Sequence, residues 1–336
     1  MNDMEEKFIG SLVGAVVGDC LGSEYEFVTP IPSREKMLKT YNSPCIFKYT
    51  DDTAMSRSVA FSLIEKKKLD CIDLAKKFTD EYIRKPYGYG ATIGEVFHKL
   101  NNIFSSKEYA SITEEEIFSP SKQQHSGQGS FGNGAAMRIA PASLFGIKSD
   151  NKEFEDLVRK ISLITHAHPF GINGAILEAT AVKWALKYPN NDSDLLDKLE
   201  TFAKSLEVDS EQKVYQEKIT LIRQLMLEYE TSEEDVATKL GNDVTALNSV
   251  PAAIYSFLRT TKERFSNLSP EEKFKETILF SISLGGDTDT IASMAGAIAG
   301  AAYSINCIPK NWIKICEGVD DARKQAHKLY ELQHCK

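Results

Sequence analysis

Residues 284–303 read LGGDTDTIASMAGAIAGAAY, in which two glycines and an acid–threonine repeat lead into an apolar segment. Acids and threonines at the start of a helix satisfy its free backbone amides and complement its dipole. The stretch therefore predicts a long helix over residues 291–302, entered through Asp287 and Asp289. The apolar run is shorter than the ~20 residues that a membrane span needs, so we predict no span.

Apolar residues recur at helical spacing in most of the remaining chain, as at Phe8, Leu12 and Val16. Further runs of this kind lie near residues 55–63, 71–84, 91–104, 154–161, 172–187, 194–206, 211–229, 233–240, 251–262, 271–284 and 319–333. The alternation that predicts strands is nearly absent. We therefore predict an all-α helical bundle of about a dozen helices, forming a single domain over residues 1–336.

The charge composition of the chain limits the kinds of ligand that it can bind. The chain has 336 residues with 40 basic and 48 acidic side chains, which gives a formal net charge of −8. This balance is unfavourable for direct binding of duplex nucleic acid, so an anionic ligand would need a local binding device. The N-terminal residues have neither an apolar signal core nor the arginine-rich character of a transit peptide. We expect a cytoplasmic and nuclear location and no mitochondrial import.

A second acid–threonine group, residues 49–53 (YTDDT), precedes another helical run. Alone, it is best explained as a helix cap. Together, the four acids Asp51, Asp52, Asp287 and Asp289 lie in two motifs that contain no lysine or arginine, and burial would raise their pKa values unless a cation held them. Oxygen ligands favour Mg²⁺, Mn²⁺ or Ca²⁺ over zinc, and four carboxylates suit two adjacent ions. The spacing excludes an EF-hand.

A glycine-rich segment, residues 127–134 (GQGSFGNG), formally matches G-x-G-x-x-G. A dinucleotide-binding fold needs a strand just before this motif, and the preceding residues 119–125 form a polar segment. The glycines would still let backbone amides approach phosphate oxygens. An ordinary flexible loop is the alternative.

Two single residues have ordinary explanations. Glu26 would be a surface glutamate unless its loop folds over the metals. His166 follows an apolar helix, where a histidine is most often structural.

Together these segments resemble the ADP-ribosylglycohydrolase family, over nearly the whole chain. The motifs that carry the resemblance are Gly14-x-x-x-Gly18-Asp19-x-x-Gly22, Tyr49-Thr50-Asp51-Asp52-Thr53, Gly129-Ser130-Phe131-Gly132-Asn133-Gly134, Thr165-His166 and Gly285-Gly286-Asp287-Thr288-Asp289-Thr290. The resemblance implies an orthogonal all-α bundle with two Mg²⁺ ions, replaceable by Mn²⁺, at the bottom of an ADP-ribose cleft. It also implies residue roles. The implied metal ligands are Glu26, Thr50, Asp51, Asp52, Asp287, Asp289 and Thr290. The implied proton-transfer residues are Glu26 and Asp287. The implied substrate-binding residues are Asp51, Gln128, Gly129, Ser130, Phe131, Gly132, Asn133, Gly134, His166 and Val244.

The resemblance is greatest to the branch that acts on O-linked ADP-ribose. It implies a monomeric hydrolase that removes mono-ADP-ribose from serine, degrades poly(ADP-ribose) and O-acetyl-ADP-ribose, and serves the DNA damage response. Two features depart from that branch: His125 replaces an aromatic residue beside adenine, and the stretch 206–219 is shorter. Hydrolysis of an arginine linkage, non-hydrolysing binding of ADP-ribose, and a purely structural role as in related lens proteins are the alternatives.

Overall fold

The computed structural model describes residues 2–90, 92–188, 192–208 and 210–334, and within them regular structure is helical. The helices of this part of the chain are α1 (Asp3–Gly22), α2 (Arg34–Tyr41), α3 (Asp51–Lys66), α4 (Cys71–Arg84), α5 (Ile93–Ser106), α6 (Glu114–Lys122), α7 (Gln124–Gly127), α8 (Ala140–Phe145), α9 (Asn151–Leu163), α10 (Pro169–Lys187), α11 (Asp192–Leu206), α12 (Val214–Leu227), α13 (Glu233–Leu240), α14 (Ala246–Leu258), α15 (Pro270–Ser283), α16 (Thr288–Tyr303), α17 (Lys310–Ile315) and α18 (Val319–His334). Two isolated β-bridges join Phe47 to Cys316 and Gly132 to Thr245. Among the described helices, none combines the length and the apolar character needed to cross a membrane.

The centre of the bundle is an antiparallel pair, α1 and α16, which approach each other backbone to backbone. A Cβ atom on Gly14 would lie 2.2 Å from the carbonyl oxygen of Gly296, and one on Gly18 would lie 2.0 Å from that of Ala292. Such close approach is possible only where side chains are absent. The contact places the last turn of α1 beside the first turn of α16, which begins just after Asp287.

The start of α3 is held at the same place by Asp19, which is fully buried on α1. The Asp19 carboxylate accepts hydrogen bonds from the Thr50 amide at 3.0 Å, the Thr53 amide at 3.1 Å and the Thr53 hydroxyl at 2.5 Å. The Thr288 hydroxyl on α16 donates to the Gly22 carbonyl of α1 at 2.8 Å. Both acid–threonine groups are therefore brought to one end of α1.

The prediction of an all-α fold without strands agrees with this architecture. The expected dozen helices were too few, because short elements such as α2 and α17 bury only two side chains each and leave little periodicity to detect. The segment from residue 119 was expected to be a polar loop, yet α6 continues through Pro120 to Lys122. That the chain forms one domain over residues 1–336 stays a prediction.

Candidate active site

The start of α3, the turn before α16 and the glycine-rich segment line one cavity of about 520 Å³. The predicted site residues that line it are Glu26, Asp51, Asp52, Ser130, Phe131, Gly132, Asn133, Gly134, His166, Val244, Asp287, Asp289 and Thr290. Three predicted residues, Thr50, Gln128 and Gly129, do not line it. A larger cavity of about 860 Å³ lies against Leu196, Met226 and Arg264 and contains none of the predicted residues.

Three carboxylates converge in the cavity. Glu26, Asp287 and Asp289 each place a carboxylate oxygen within 4.8 Å of the others, and Glu26 is exposed whereas both aspartates are buried. The residue before α16 makes this possible: Asp287 has φ −85° and ψ 68°, outside the helical region, while Asp289 lies within the first turn. The two acids can therefore converge because the entry to the helix at Asp287 is not itself helical.

The turn before α16 is fixed from two sides. The Asp287 amide donates to the Asn242 carbonyl at 2.8 Å, and the Phe27 amide donates to the Gly286 carbonyl at 2.9 Å. Gly286 has φ +70°, and a Cβ atom there would lie 2.1 Å from the Asn242 carbonyl oxygen. The second contact brings the loop that carries Glu26 over the carboxylates.

Asp52 adds a fourth carboxylate to the cavity, and this one is buried with an unsatisfied atom. Its Oδ1 accepts from the Thr290 hydroxyl at 3.3 Å. Its Oδ2 is buried and has no hydrogen-bond partner in the described structure. A buried carboxylate oxygen without a donor is costly, and a cation at this place would satisfy it.

The raised pKa values of these acids also favour a bound cation at this place. Burial, followed by the charge of Asp289, raises the pKa of Asp52 well above its usual range. Burial, followed by Asp19, raises the pKa of Asp51 to about 7. Burial and then Asp287 raise the pKa of Glu26 and, more strongly, that of Asp289. Without a cation these acids would have to take up protons, so a divalent cation suits the cluster. Because all of the ligand atoms are oxygens, a hard cation such as Mg²⁺ fits best.

The glycine turn, residues 129–134, is bonded to this carboxylate cluster. Asn133 Nδ2 donates to Asp287 Oδ2 at 2.5 Å and to the Ser249 hydroxyl at 3.1 Å. Backbone bonds from the Asn133 amide to the Val244 carbonyl and from the Ala246 amide to the Phe131 carbonyl hold the turn against the start of α14. These hydrogen bonds hold the turn in place as one wall of the cavity.

Phe131 stands at the rim of the cavity with 42% of its surface exposed. Its ring centroid is 5.7 Å from that of His125, at an interplanar angle of 31°, and 5.8 Å from that of His168. An open aromatic face of this kind is suited to stacking on a planar base. His125 contributes to this rim although it replaces the expected aromatic residue.

His166 is buried beside the glycine turn. Burial, followed by the charge of Arg138, lowers the pKa of His166 to about 3, so the ring is neutral at physiological pH. A Cβ atom on Gly134 would lie only 2.8 Å from His166 Cε1 and 3.0 Å from Nε2. The ring therefore contacts the backbone of the turn directly.

Three of the residues that sequence reasoning missed in this region have polar side chains that bear on the site. Asp19 positions α3, and Arg138 and Tyr89 line the cavity. Arg138 is only 1% exposed. The Tyr89 hydroxyl is buried and has no hydrogen-bond partner in the described structure. Asp19 stood in a recognised motif without an assigned role, and the glycines around Tyr89 marked a turn; nothing in the sequence near Arg138 indicated a site.

Known proteins resemble this chain in both sequence and structure. The family model described as ADP-ribosylglycohydrolase matches residues 1–336. The ADP-ribosylhydrolase ARH3 of Xenopus tropicalis is 39% identical, over 97% of this chain and 95% of that protein. The ARH3 of Homo sapiens is 36% identical, over 97% and 93%. A solved structure described as an ADP-ribosylglycohydrolase-related protein complex superposes with a TM-score of 0.70 at 20% identity, covering 99% of both chains.

The structural match confirms the all-α fold, and the acidic cluster lies in a cavity of that fold. The chain belongs to the ADP-ribosylglycohydrolase family. The resemblance found in the sequence and the prediction of an enzyme are thereby confirmed. Membership of this family supports the hydrolysis of an ADP-ribose linkage by this protein.

Proposed function

We propose that this protein hydrolyses O-linked ADP-ribose with the help of two Mg²⁺ ions, for which Mn²⁺ is a substitute. Its substrates would be mono-ADP-ribose on serine, poly(ADP-ribose) and O-acetyl-ADP-ribose. The observation that carries the proposal is the direct bond between Asn133 of the glycine turn and Asp287 of the carboxylate cluster. It joins a wall suited to phosphate to a set of acids suited to cations, so one ligand would contact both.

The relatives support this assignment at the level of the family and of their printed names. ARH3 proteins are named ADP-ribosylhydrolases and match this chain over almost their whole length. The choice of serine over another linkage, the identity and number of the ions, and a part in the DNA damage response are our proposals.

The carboxylate cluster would hold the ions. The residues that fit as ligands are Glu26, Asp51, Asp52, Asp287, Asp289 and Thr290, with Thr50 retained from the sequence prediction. When bound, the ions would orient the ribose hydroxyls and lower the pKa of water. The remaining chemistry belongs to the side chains of this chain.

Cleavage breaks the bond between ribose C1″ and the attached oxygen, and water supplies the hydroxyl that replaces it. The departing oxygen needs a proton, and the forming hydroxyl must lose one. Glu26 and Asp287 have raised pKa values and lie in the converging group, so either can hold that proton. Asn133 fixes the orientation of Asp287 by its hydrogen bond.

The rest of the cavity would bind the ADP part of the substrate. In this proposal, amides of the glycine turn would face the diphosphate, and Phe131, whose ring lies beside that of His125, would stack on adenine. Because the acids and the aromatic rim lie in one cavity, the reactive ribose would reach the carboxylates when the base is stacked at the rim.

The experiment that tests the proposal measures free ADP-ribose released from a serine-ADP-ribosylated peptide, with Mg²⁺ and after chelation. Asp289→Ala should abolish release, whereas Asp320→Ala, an exposed acid in the first turn of α18, should not. An arginine-linked peptide run in parallel tests the main alternative. Release from the arginine peptide alone, or release that survives both chelation and Asp289→Ala, would overturn the proposal. Binding of ADP-ribose without any release would favour a non-hydrolysing binding protein.

The location and assembly of the chain stay predictions. We expect a monomer in the cytoplasm and nucleus with no direct contact to duplex nucleic acid, as the acidic net charge of −8 suggests.

A further inference from the structure

A chain of three side chains lies behind the glycine turn. Arg138 Nη2 donates to the Thr165 hydroxyl oxygen at 2.6 Å, and that hydroxyl lies 2.8 Å from His166 Nδ1. Thr165 is fully buried, and Arg138 and His166 are 1% and 7% exposed. At this depth each polar hydrogen needs an acceptor within the protein.

Arginine fixes the direction of the hydrogen bonds in this chain. A guanidinium can only donate, so the Thr165 oxygen accepts from Arg138. The Thr165 hydroxyl then has one hydrogen to donate, and the acceptor that the described structure offers is His166 Nδ1. A neutral imidazole that accepts at Nδ1 carries its own hydrogen on Nε2.

His166 lines the cavity, and its Nε2 atom lies beside the glycine turn. It would be 3.5 Å from a Cβ atom on Gly132 and 3.0 Å from one on Gly134, so it borders the backbone of the turn. A hydrogen on Nε2 therefore points to the place where an oxygen bound by the turn would lie.

Among the described residues that line the cavity, Arg138 is the one arginine or lysine. Its described hydrogen bonds go to the Ile161 carbonyl and the Thr165 hydroxyl rather than to a carboxylate, and its Nε has no partner in the described structure. The guanidinium centre lies 4.5 Å from the centroid of the Phe78 ring. A buried guanidinium that forms no ion pair within the protein would be stabilised by an anionic ligand nearby.

We propose that Arg138 and Thr165 are positioning residues that hold His166 as the neutral Nε2–H tautomer, which donates to a diphosphate oxygen of the ligand. The inference rests on the proposed function for the identity of the ligand. It concerns affinity for the ADP part, not the bond-breaking step, since none of the three side chains belongs to the converging carboxylates.

The first test is a long-range ¹H–¹⁵N spectrum of the ligand-free wild-type protein, which has six histidines. His166→Gln assigns the signal. We expect a protonated Nε2 and an unprotonated Nδ1 for His166. A protonated Nδ1 overturns the inference without any need for a variant to fold.

The second test compares Thr165→Val with Thr165→Ser. The valine variant should lose the fixed tautomer and bind ADP-ribose about tenfold more weakly, because one hydrogen bond to a charged oxygen is lost. Its KM should rise while kcat changes little. The serine variant should restore both the tautomer and the affinity.

A matched control separates these effects from loss of packing. Arg259→Lys alters another buried arginine, one that pairs with Glu276, and should leave the His166 signal and the ADP-ribose affinity unchanged. An unchanged tautomer and affinity in Thr165→Val would overturn the inference alone. A wild-type protein that binds no ADP-ribose would overturn the proposed function.

Discussion

Asn133 Nδ2 lies 2.5 Å from Asp287 Oδ2, so the glycine turn and the carboxylate cluster share a hydrogen bond between buried side chains. An amide that donates to an acid fixes which of its oxygens is available to other partners. The bond also ties the position of the turn to that of the acid.

Asn133→Ala should therefore lower kcat/KM about tenfold or more, since a hydrogen bond to a charged group is lost from a buried acid. Steady-state rates on a serine-linked peptide and the Mg²⁺ dependence of those rates measure the effect. Asn42→Ala is the control, because Asn42 bonds to Asn311 in an exposed pair. Equal rates for the two variants would contradict a role for the Asn133 bond.

Asp52→Asn should stabilise the metal-free protein and abolish most of the stabilisation by Mg²⁺. The buried Oδ2 of Asp52 has no donor, and burial and the neighbouring acids raise the pKa of this carboxyl, so the metal-free fold must take up a proton that asparagine does not need. We expect the metal-free Tm to rise by about 2 °C or more. Thermal unfolding with and without Mg²⁺ measures both effects.

The control for Asp52 is Asp73→Asn. Asp73 accepts from the Ser62 hydroxyl at 2.6 Å and lies 3.4 Å from the Lys77 amine, so its charge is compensated. Its neutralisation should lower Tm and leave the Mg²⁺ effect intact. A fall in metal-free Tm for Asp52→Asn would show that its charge is compensated as well.

The stabilisation by Mg²⁺ should grow as pH rises. Asp51 has a pKa raised from 3.8 to about 7, so between these values the metal-free native state binds more protons than the unfolded state and loses stability as pH rises. Metal binding must displace those protons. Titration calorimetry in two buffers of different ionisation enthalpy should detect proton release near neutral pH. An Mg²⁺-induced shift in Tm that is the same at about pH 5.5 and pH 7.5 would contradict this reasoning.

Glu26→Gln should lower turnover about 100-fold if Glu26 transfers the proton, with little effect on folding because the side chain is exposed. Glu24→Gln is the matched control, an exposed glutamate two residues away that does not line the cavity. A substrate with an activated aryl leaving group needs no proton, so it should restore the rate of the variant that lacks the acid. If Asp287→Asn is rescued in this way and Glu26→Gln is not, Asp287 is the proton donor.

Gly134→Ala should weaken ADP-ribose binding about tenfold or more, since the new methyl group would meet His166 Cε1 at 2.8 Å and displace the ring or the turn. Gly90→Ala is the control: Gly90 also lines the cavity, but a Cβ atom there meets nothing within 4 Å. Calorimetric titration with ADP-ribose measures both variants. Equal affinities would show that the turn can move away from His166 without cost.

The sequence indicated which acids meet in the cavity because their signals are local. Asp51 and Asp52 begin one helix, Asp287 precedes another and Asp289 lies in its first turn, and the cost of gathering four acids pointed to a cation before any geometry was known. The residues missed by the sequence depend on tertiary contacts. Arg138 lies among apolar residues near α8, and its partner Thr165 is 27 positions away. No local pattern distinguishes such an arginine from one in solvent.

Because α1 and α16 touch backbone to backbone, a substitution at one end of this helix pair can affect the acids at the other end. Gly300 lies 13 residues after Asp287, about 20 Å along the helix axis, and a Cβ atom there would lie 1.9 Å from the Gly10 carbonyl oxygen. A methyl group at Gly300 would tilt α16 as a lever about that contact and displace the acids at its other end. Inherited or engineered lesions at the far end of this helix pair would thus present as losses of turnover, even where the protein stays folded and abundant.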